Sequence, residues 1–253
     1  MHYAIPIVAV CAMRLQASHR SEMVSQLLMG EPAVVVETET DFLKVQSLYD
    51  RYEGWCQKSQ LAVLKELPTY HQTSWMSKDH TSIVMVDDTP VYISAGTPLQ
   101  YLHDHKWGGY SFRYVGNFWD TQNAVFDEKT ILGLTELYLN TPYLWGGRSV
   151  MGIDCSGFSQ QVYRFFGKSL PRDAYQQAAL GESVGFLQET RCGDLAFFDN
   201  AEGKITHVGI ILSSDKIIHA SGQVRIDSID NMGIIHSKTG MRTHNLRIIK
   251  RYR

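Results

Sequence analysis

The sequence has no apolar run near the ~18 to 20 residues that cross a bilayer; its longest candidates, such as Ala33 to Val36, are strand-sized. It therefore predicts no transmembrane helix. It also lacks a surplus of either charge: 24 Lys and Arg against 26 Asp and Glu give a formal net charge of -2, with no run of like charges. No broad basic field for nucleic acid follows, so a substrate must be inferred from a site. The four cysteines, Cys11, Cys56, Cys155 and Cys192, are widely spaced with no Cys-x-x-Cys pair. Neither a zinc site nor a dense disulfide framework is indicated, and no metal or organic cofactor is expected. The start, Met1 to Pro6, has no basic segment followed by a long apolar core. Taken as native, it points to the cytoplasm; had a signal peptide been removed, the periplasm or cell exterior would be expected.

What is present is 253 residues, 44% of them hydrophobic, enough for one large or several small cores. Up to about Leu64 the pattern is of short β-type runs: Ile5 to Val10, Ala33 to Glu37, Phe42 to Ser47, and Gly54-Trp55 leading to Leu61-Ala62-Val63. A small barrel is expected over 1–66. A second set, Ile83 to Val86, Pro90 to Ile93, Leu99 to Leu102 and Ser111 to Val115, suggests another over 67–122. Near Asn123 the pattern changes. Asp127 can cap a helix that carries Ile131, Leu134, Leu137 and Tyr138 on one face and ends at Thr141-Pro142. After Cys155, Phe158, Val162 and Phe165 recur at helical spacing up to Gly167. The last third returns to strands, which makes 123–253 a helix-first, sheet-second α+β domain.

Cys155 thus opens a helix, where unpaired backbone N–H groups and the helix dipole favour thiolate. A buried structural cysteine fits that placement equally well. A partner decides the matter, because a nucleophilic cysteine needs a base that is itself oriented by a third polar group. His207 and His219 lie on two apolar runs joined by Ser213-Ser214-Asp215-Lys216. In an antiparallel hairpin they share a face only if the loop is odd or the ladder carries a bulge; a plain two-residue loop puts them on opposite faces. His103, His105, His236 and His244 lack such pairing and read as surface or turn residues.

With Tyr143-Leu144-Trp145-Gly146-Gly147, Asp154-Cys155-Ser156-Gly157-Phe158, Gly193-Asp194-Leu195, His207-Val208-Gly209-Ile210 and Ile218-His219-Ala220 in this order, the stretch from Asp127 onward resembles the NlpC/p60 family of papain-like cell-wall peptidases. The resemblance implies Cys155 as nucleophile, His207 as base, His219 as its orienting residue, and the Tyr143 hydroxyl with the Cys155 N–H as oxyanion donors. Trp145 and Ser156 would line the substrate. The N-terminal half resembles bacterial SH3-like barrels in Ser21 to Gln26, Gly30-Glu31 and Tyr52-Glu53-Gly54-Trp55.

Two such barrels before an NlpC domain resemble the γ-D-glutamyl-diamino-acid endopeptidases of dipeptidyl-peptidase VI type. That implies cleavage of peptidoglycan stem peptides bearing a free N-terminal L-Ala. The ammonium would need carboxylates and an aromatic hydroxyl; Asp173, Glu22 and Tyr52 are the candidates, although Glu22 also reads as an exposed loop carboxylate. Ala174 stands where this subgroup often has serine, and Cys192 where proline is commoner; Cys192 is read as a packed turn residue. A noncatalytic wall-binding protein and a papain-like amidase or acyl transferase are the rival readings.

Overall fold

A computed structural model of the chain describes residues 1–69 and 74–252. The chain forms two compact units, one of 1–124, 145–151 and 164–169, the other of 125–144, 152–163 and 170–253.

In the first unit, β1 (Tyr3–Pro6), β2 (Val10–Arg14), β3 (Met23–Leu28), β4 (Ala33–Thr38), β5 (Phe42–Ser47), β6 (Glu53–Gln57) and β7 (Leu61–Leu64) make an antiparallel sheet in the order β3-β2-β6-β5-β4-β1-β7. The run expected as one strand from Ile5 to Val10 is broken after Pro6, where Ile7 donates outside the ladder to Gln60. Alternate residues Cys11 and Met13 on β2, Leu43 and Val45 on β5, with Leu27 and Cys56, fill the sheet's core. β8 (Trp75–Ser77), β9 (Thr81–Val86), β10 (Thr89–Ser94), β11 (His105–Trp107), β12 (Tyr110–Val115) and β13 (Phe118–Asp120) follow. Four of them form a sheet ordered β10-β9-β12-β11, and β13 pairs with β8.

The expected strand Leu99 to Leu102 is instead a turn, closed by Leu102 N donating to Leu99 O. Leu99, Tyr101 and Leu102 are buried with Ile5, Met29 and Ala62 of the first sheet and Val84, Ile93 and Phe112 of the second. The apolar run is satisfied by burial, not by a ladder, and the two strand sets share that core. The two-residue β14 (Arg148–Ser149) also belongs to this unit. Arg148 is buried there against the Glu31 carboxylate at 3.0 Å, and Arg164 reaches the same carboxylate.

The second unit begins with α1 (Glu128–Glu136), whose first turn is capped by Asp127 accepting from Thr130 N at 2.8 Å. β15 (Gly152–Ile153) leads into α2 (Cys155–Arg164), then α3 (Ala174–Ala178). α2 ends as the spacing requires, with Gly167 at φ 66° and its N–H on Arg164 O. β16 (Glu182–Val184), β17 (Leu195–Asp199), β18 (Ile205–Ser213), β19 (Lys216–Ser221), β20 (Gln223–Asp230), β21 (Gly233–Ile235) and β22 (Arg242–Arg251) form an antiparallel sheet. Its order is β16-β22-β17-β18-β19-β20-β21, and a further β21–β22 pairing closes six of its strands into a barrel. Ala196, Phe198, Ile211, Ile217, Ile229, Ile234 and Ile249 fill its interior. Gln177 on α3 binds Ser159 Oγ and Ser156 O of α2, fixing the helices to each other. Among the described residues no helix is long and apolar enough to cross a membrane.

Candidate active site

The hairpin β18–β19 settles which face the two histidines use. Gly209 faces His219, Ile210 faces Ile218 and Ile211 faces Ile217; then Leu212 is bulged out and Ser213 faces Lys216. The loop itself is only Ser214-Asp215, so the bulge supplies the extra residue that keeps His207 and His219 on one face. His207, two residues before Gly209, is then the diagonal neighbour of His219. Gly209 has to be small: a Cβ there would lie 2.9 Å from the His219 Cβ and 2.7 Å from Ile217 Cδ1.

The imidazoles meet with His207 Nε2 2.8 Å from His219 Nδ1. His219 Nε2 lies 3.0 Å from Asp227 Oδ2. Cys155 is 6% exposed at the start of α2, and its sulfur takes hydrogen bonds from the N–H of Val208, next to His207, and of Ser156. Tyr143 is held by its N–H on Gly222 O, and its phenol is coupled electrostatically to Cys155 and Asp154. Cys155, His207, His219 and Tyr143 therefore all belong to the second unit, and the hydrogen-bonded chain runs through its barrel sheet.

Burial governs the protonation states. It pushes the Cys155 thiol up to about 12, with the Asp154 charge adding to the effect, against the two backbone N–H groups and Arg172. The two N–H bonds favour thiolate, as expected at a helix N-terminus, while removal of the sulfur from water works against it. Burial also drives His207 well below its ordinary value, helped by His219, His244 and Arg225. At rest the pair is a neutral thiol with a neutral imidazole. Burial keeps the Tyr143 phenol above its ordinary value, hence a hydrogen-bond donor at neutral pH.

Several residues were not singled out by sequence. His244, expected at the surface, is on β22 with its ring stacked on His207, centroids 4.1 Å apart and planes 25° apart. It is brought there by barrel closure, which no local pattern encodes. His236 is a turn residue as expected, with Nδ1 accepting from Lys238 N. Arg172 lies buried between Asp154, at 2.6 and 3.0 Å, and Ser156 Oγ at 2.9 Å. Asp154 in turn caps α2 through Gly157 N at 2.7 Å, so this fork holds the turn that presents the thiol. Ser156, expected to line the substrate, has its buried hydroxyl engaged by Arg172. Asp227 and Arg225 were missed too, since the polarity of β20 is inverted in the fold, with Ile226 exposed and Asp227 buried.

Asp173 caps α3 in a capping box, its own N–H on Gln176 Oε1. Of the residues expected to bind substrate in the first unit, Glu22 is exposed and accepts a hydrogen bond from Trp145 Nε1 at 2.7 Å. Trp145 keeps 59% of its surface open, and Gly146 beside it, at φ 76°, lies where a Cβ would strike Met23 O. Tyr52 is half-buried just before β6. Among the described residues the imidazole nitrogens of His207, His219 and His244 form the single cluster able to hold a metal, within 4.8 Å of one another. A cation bound there would have to break the His207–His219 hydrogen bond.

Residues 140–243 match the NlpC/P60 family, and residues 13–61 match the bacterial dipeptidyl-peptidase SH3 domain. The chain is 32% identical over 215 residues to the γ-D-glutamyl-L-lysine dipeptidyl-peptidase of Bacillus subtilis, covering 78% of this chain and 71% of that one. Its counterpart of the same name in Bacillus cereus is 25% identical over 260 residues, covering 91% and 78%. The crystal structure of an NlpC/P60 family protein from Bacillus cereus shares the fold over 99% of both chains, with a TM-score of 0.79 at 20% identity. Such relatives, with the linked motifs and an N-terminal SH3-like domain, leave one assignment: the chain belongs to the NlpC/P60 family of cysteine peptidases.

Proposed function

We propose that this protein is a peptidoglycan-peptide hydrolase that cuts the γ-D-glutamyl to diamino-acid amide of stem peptides with a free N-terminal L-Ala, releasing L-Ala-γ-D-Glu. The observation that carries the reading is the buried His207–His219 hydrogen bond on the strand whose Val208 N–H binds the Cys155 sulfur. The similarity to the Bacillus dipeptidyl-peptidases supports the bond cleaved.

In this mechanism His207 takes the thiol proton as Sγ attacks the γ-carbonyl carbon. The oxyanion is met by the Tyr143 hydroxyl and the Cys155 N–H. The His207 imidazolium then protonates the leaving amine, and the thioester forms. A water molecule, deprotonated by His207, attacks the thioester carbonyl and releases the dipeptide acid and the thiol. Asp173, Glu22 and Tyr52 are each assigned to recognition of the substrate ammonium, and Trp145, whose indole holds the Glu22 carboxylate, to the substrate's apolar part. Ser156 acts through Arg172, holding the helix start. The domain division that goes with this reading is an SH3-like barrel at 1–66, a second at 67–122 and the catalytic domain at 123–253.

The test is incubation with L-Ala-γ-D-Glu-diaminopimelate and its N-acetylated form. Release of L-Ala-γ-D-Glu from the free peptide alone is expected, and Cys155→Ala abolishes it. Equal rates on both peptides would overturn the amine requirement; turnover by Cys155→Ala would overturn the peptidase assignment. Glu22→Gln, Tyr52→Phe and Asp173→Asn should each raise KM for the free peptide with little change in kcat.

A further inference from the structure

The hydrogen-bonded chain does not stop at the second histidine. On β19–β20, His219 faces Arg225, and Asp227 is two residues further along β20. His207 on β18, His219 on β19 and Asp227 on β20 thus give a stripe of three side chains, one per strand, each displaced diagonally by two residues on the same face. Asp227 is 1% exposed. Its Oδ2 receives Arg225 Nε at 2.8 Å as well as His219 Nε2, and its Oδ1 receives Ser237 N at 2.9 Å. Burial opposes its charge, but these donors hold its carboxyl far below the ordinary range.

An ionised carboxylate only accepts. His219 must therefore carry a proton on Nε2. Burial, outweighing the Asp227 charge, lowers His219 from its ordinary value, so the ring is neutral and its Nδ1 is a lone pair. That lone pair, 2.8 Å from His207 Nε2, requires a proton there. The neutral His207 then has one lone pair left, on Nδ1.

We propose that Asp227 is a positioning residue that sets the tautomers of both imidazoles, holding the protons on His219 Nε2 and His207 Nε2 so that His207 Nδ1 is the base for Cys155. The inference rests on the roles given above to Cys155, His207 and His219. Once His207 takes the thiol proton, the carboxylate two rings away also stabilises the imidazolium. Without that charge the chain can reverse, with His219 donating from Nδ1 and His207 protonated on Nδ1, which leaves it no base toward the sulfur. Arg225 helps by fixing the carboxylate in the plane where Oδ2 meets His219.

The experiment is ¹⁵N–¹H correlation of the histidine rings in the wild type, Cys155→Ala and Asp227→Asn, beside steady-state kinetics on L-Ala-γ-D-Glu-diaminopimelate. Wild type and Cys155→Ala should both show His207 and His219 protonated on Nε2. In Asp227→Asn a second tautomer should appear on both rings, and kcat should fall on the order of 10- to 100-fold with KM unchanged. Asp227→Glu, which keeps the charge, should restore the wild-type tautomers. A wild-type His219 protonated on Nδ1, an Asp227→Asn enzyme with wild-type kcat, or a kcat loss with unchanged tautomers would each overturn the proposal. The wild-type spectrum alone can refute it, even where a variant fails to fold. Because the spectra are read without turnover, failure of the peptidase reading, seen as turnover by Cys155→Ala, is told apart from failure of this one.

Discussion

At the residue scale the site is defined by what burial does to each ionisable group. A thiol pushed up to about 12 and an imidazole well below its ordinary value are both uncharged near neutrality. Alkylation of Cys155 by iodoacetamide should then rise with pH throughout the neutral range, with no plateau from a preformed thiolate; a plateau would refute the neutral pair. In the proposed mechanism the base is neutral His207. Since its value is lowered, kcat/KM should hold as pH falls through the ordinary 6.5 and drop only in more acidic buffer. The Arg172–Asp154 fork makes a different demand. Arg172→Met removes the cation from the buried Asp154 carboxylate, which should cost about 3–5 kcal/mol in urea unfolding, with the turn before Cys155 loosened. The sequence displayed Asp154, Cys155, His207 and His219 in recognisable runs. Arg172 and Asp227 were invisible because each acts by pairing with a residue far along the chain or on a neighbouring strand, and a lone charge carries no pattern.

At the scale of elements, the helix that opens at Cys155 was legible because two local signals agree: apolar residues at helical spacing and a glycine where the chain must turn left-handed. The hairpin was only half legible. Its two apolar runs were plain, but the histidines share a face through the Leu212 bulge, and bulge position depends on how the partner strands twist. Gly209 is where this geometry is most exposed to substitution. Gly209→Ala puts a methyl within contact distance of His219 and Ile217, so it should destabilise by about 1–3 kcal/mol and lower kcat by displacing the His219 ring. Thermal unfolding with steady-state kinetics on the tripeptide checks both effects. Leu99 to Leu102 failed as a strand because its apolar side chains reach the core from a turn, and periodicity over four residues does not separate the two.

For the whole molecule, pH should act on stability through three imidazoles, two buried and one half-buried. His207, His219 and His244 are all lowered from 6.5, each chiefly by burial, His244 to about 4. The unfolded chain takes up these protons first, so their contribution is complete above 6.5 and is lost as pH falls toward about 4. Melting temperature should decline over that window, less steeply in His244→Phe; equal slopes would show that His244 is not one of the groups responsible. Glu31 titrates lower: burial works to raise it, but Arg148 and Arg164 hold it below the carboxylate range. Those two arginines come from 145–151 and 164–169, later segments that belong to the first unit. A fragment of 1–124 would leave Glu31 buried without its cations and should unfold in less urea than the same unit in the whole chain.

The sequence alone determined the α+β character of the second half, the helix that opens at Cys155, and the family. All of these rest on short-range periodicity, caps or linked motifs, which operate over a few residues at a time. Only the tertiary structure decided that burial works against charge on the histidines, that they stand on one face, that the chain ends on Asp227, and that His244 stacks on His207. It also decided that the first unit is completed by later segments. Desolvation, strand register and barrel closure set those features, and each depends on residues that come together only when the chain has folded.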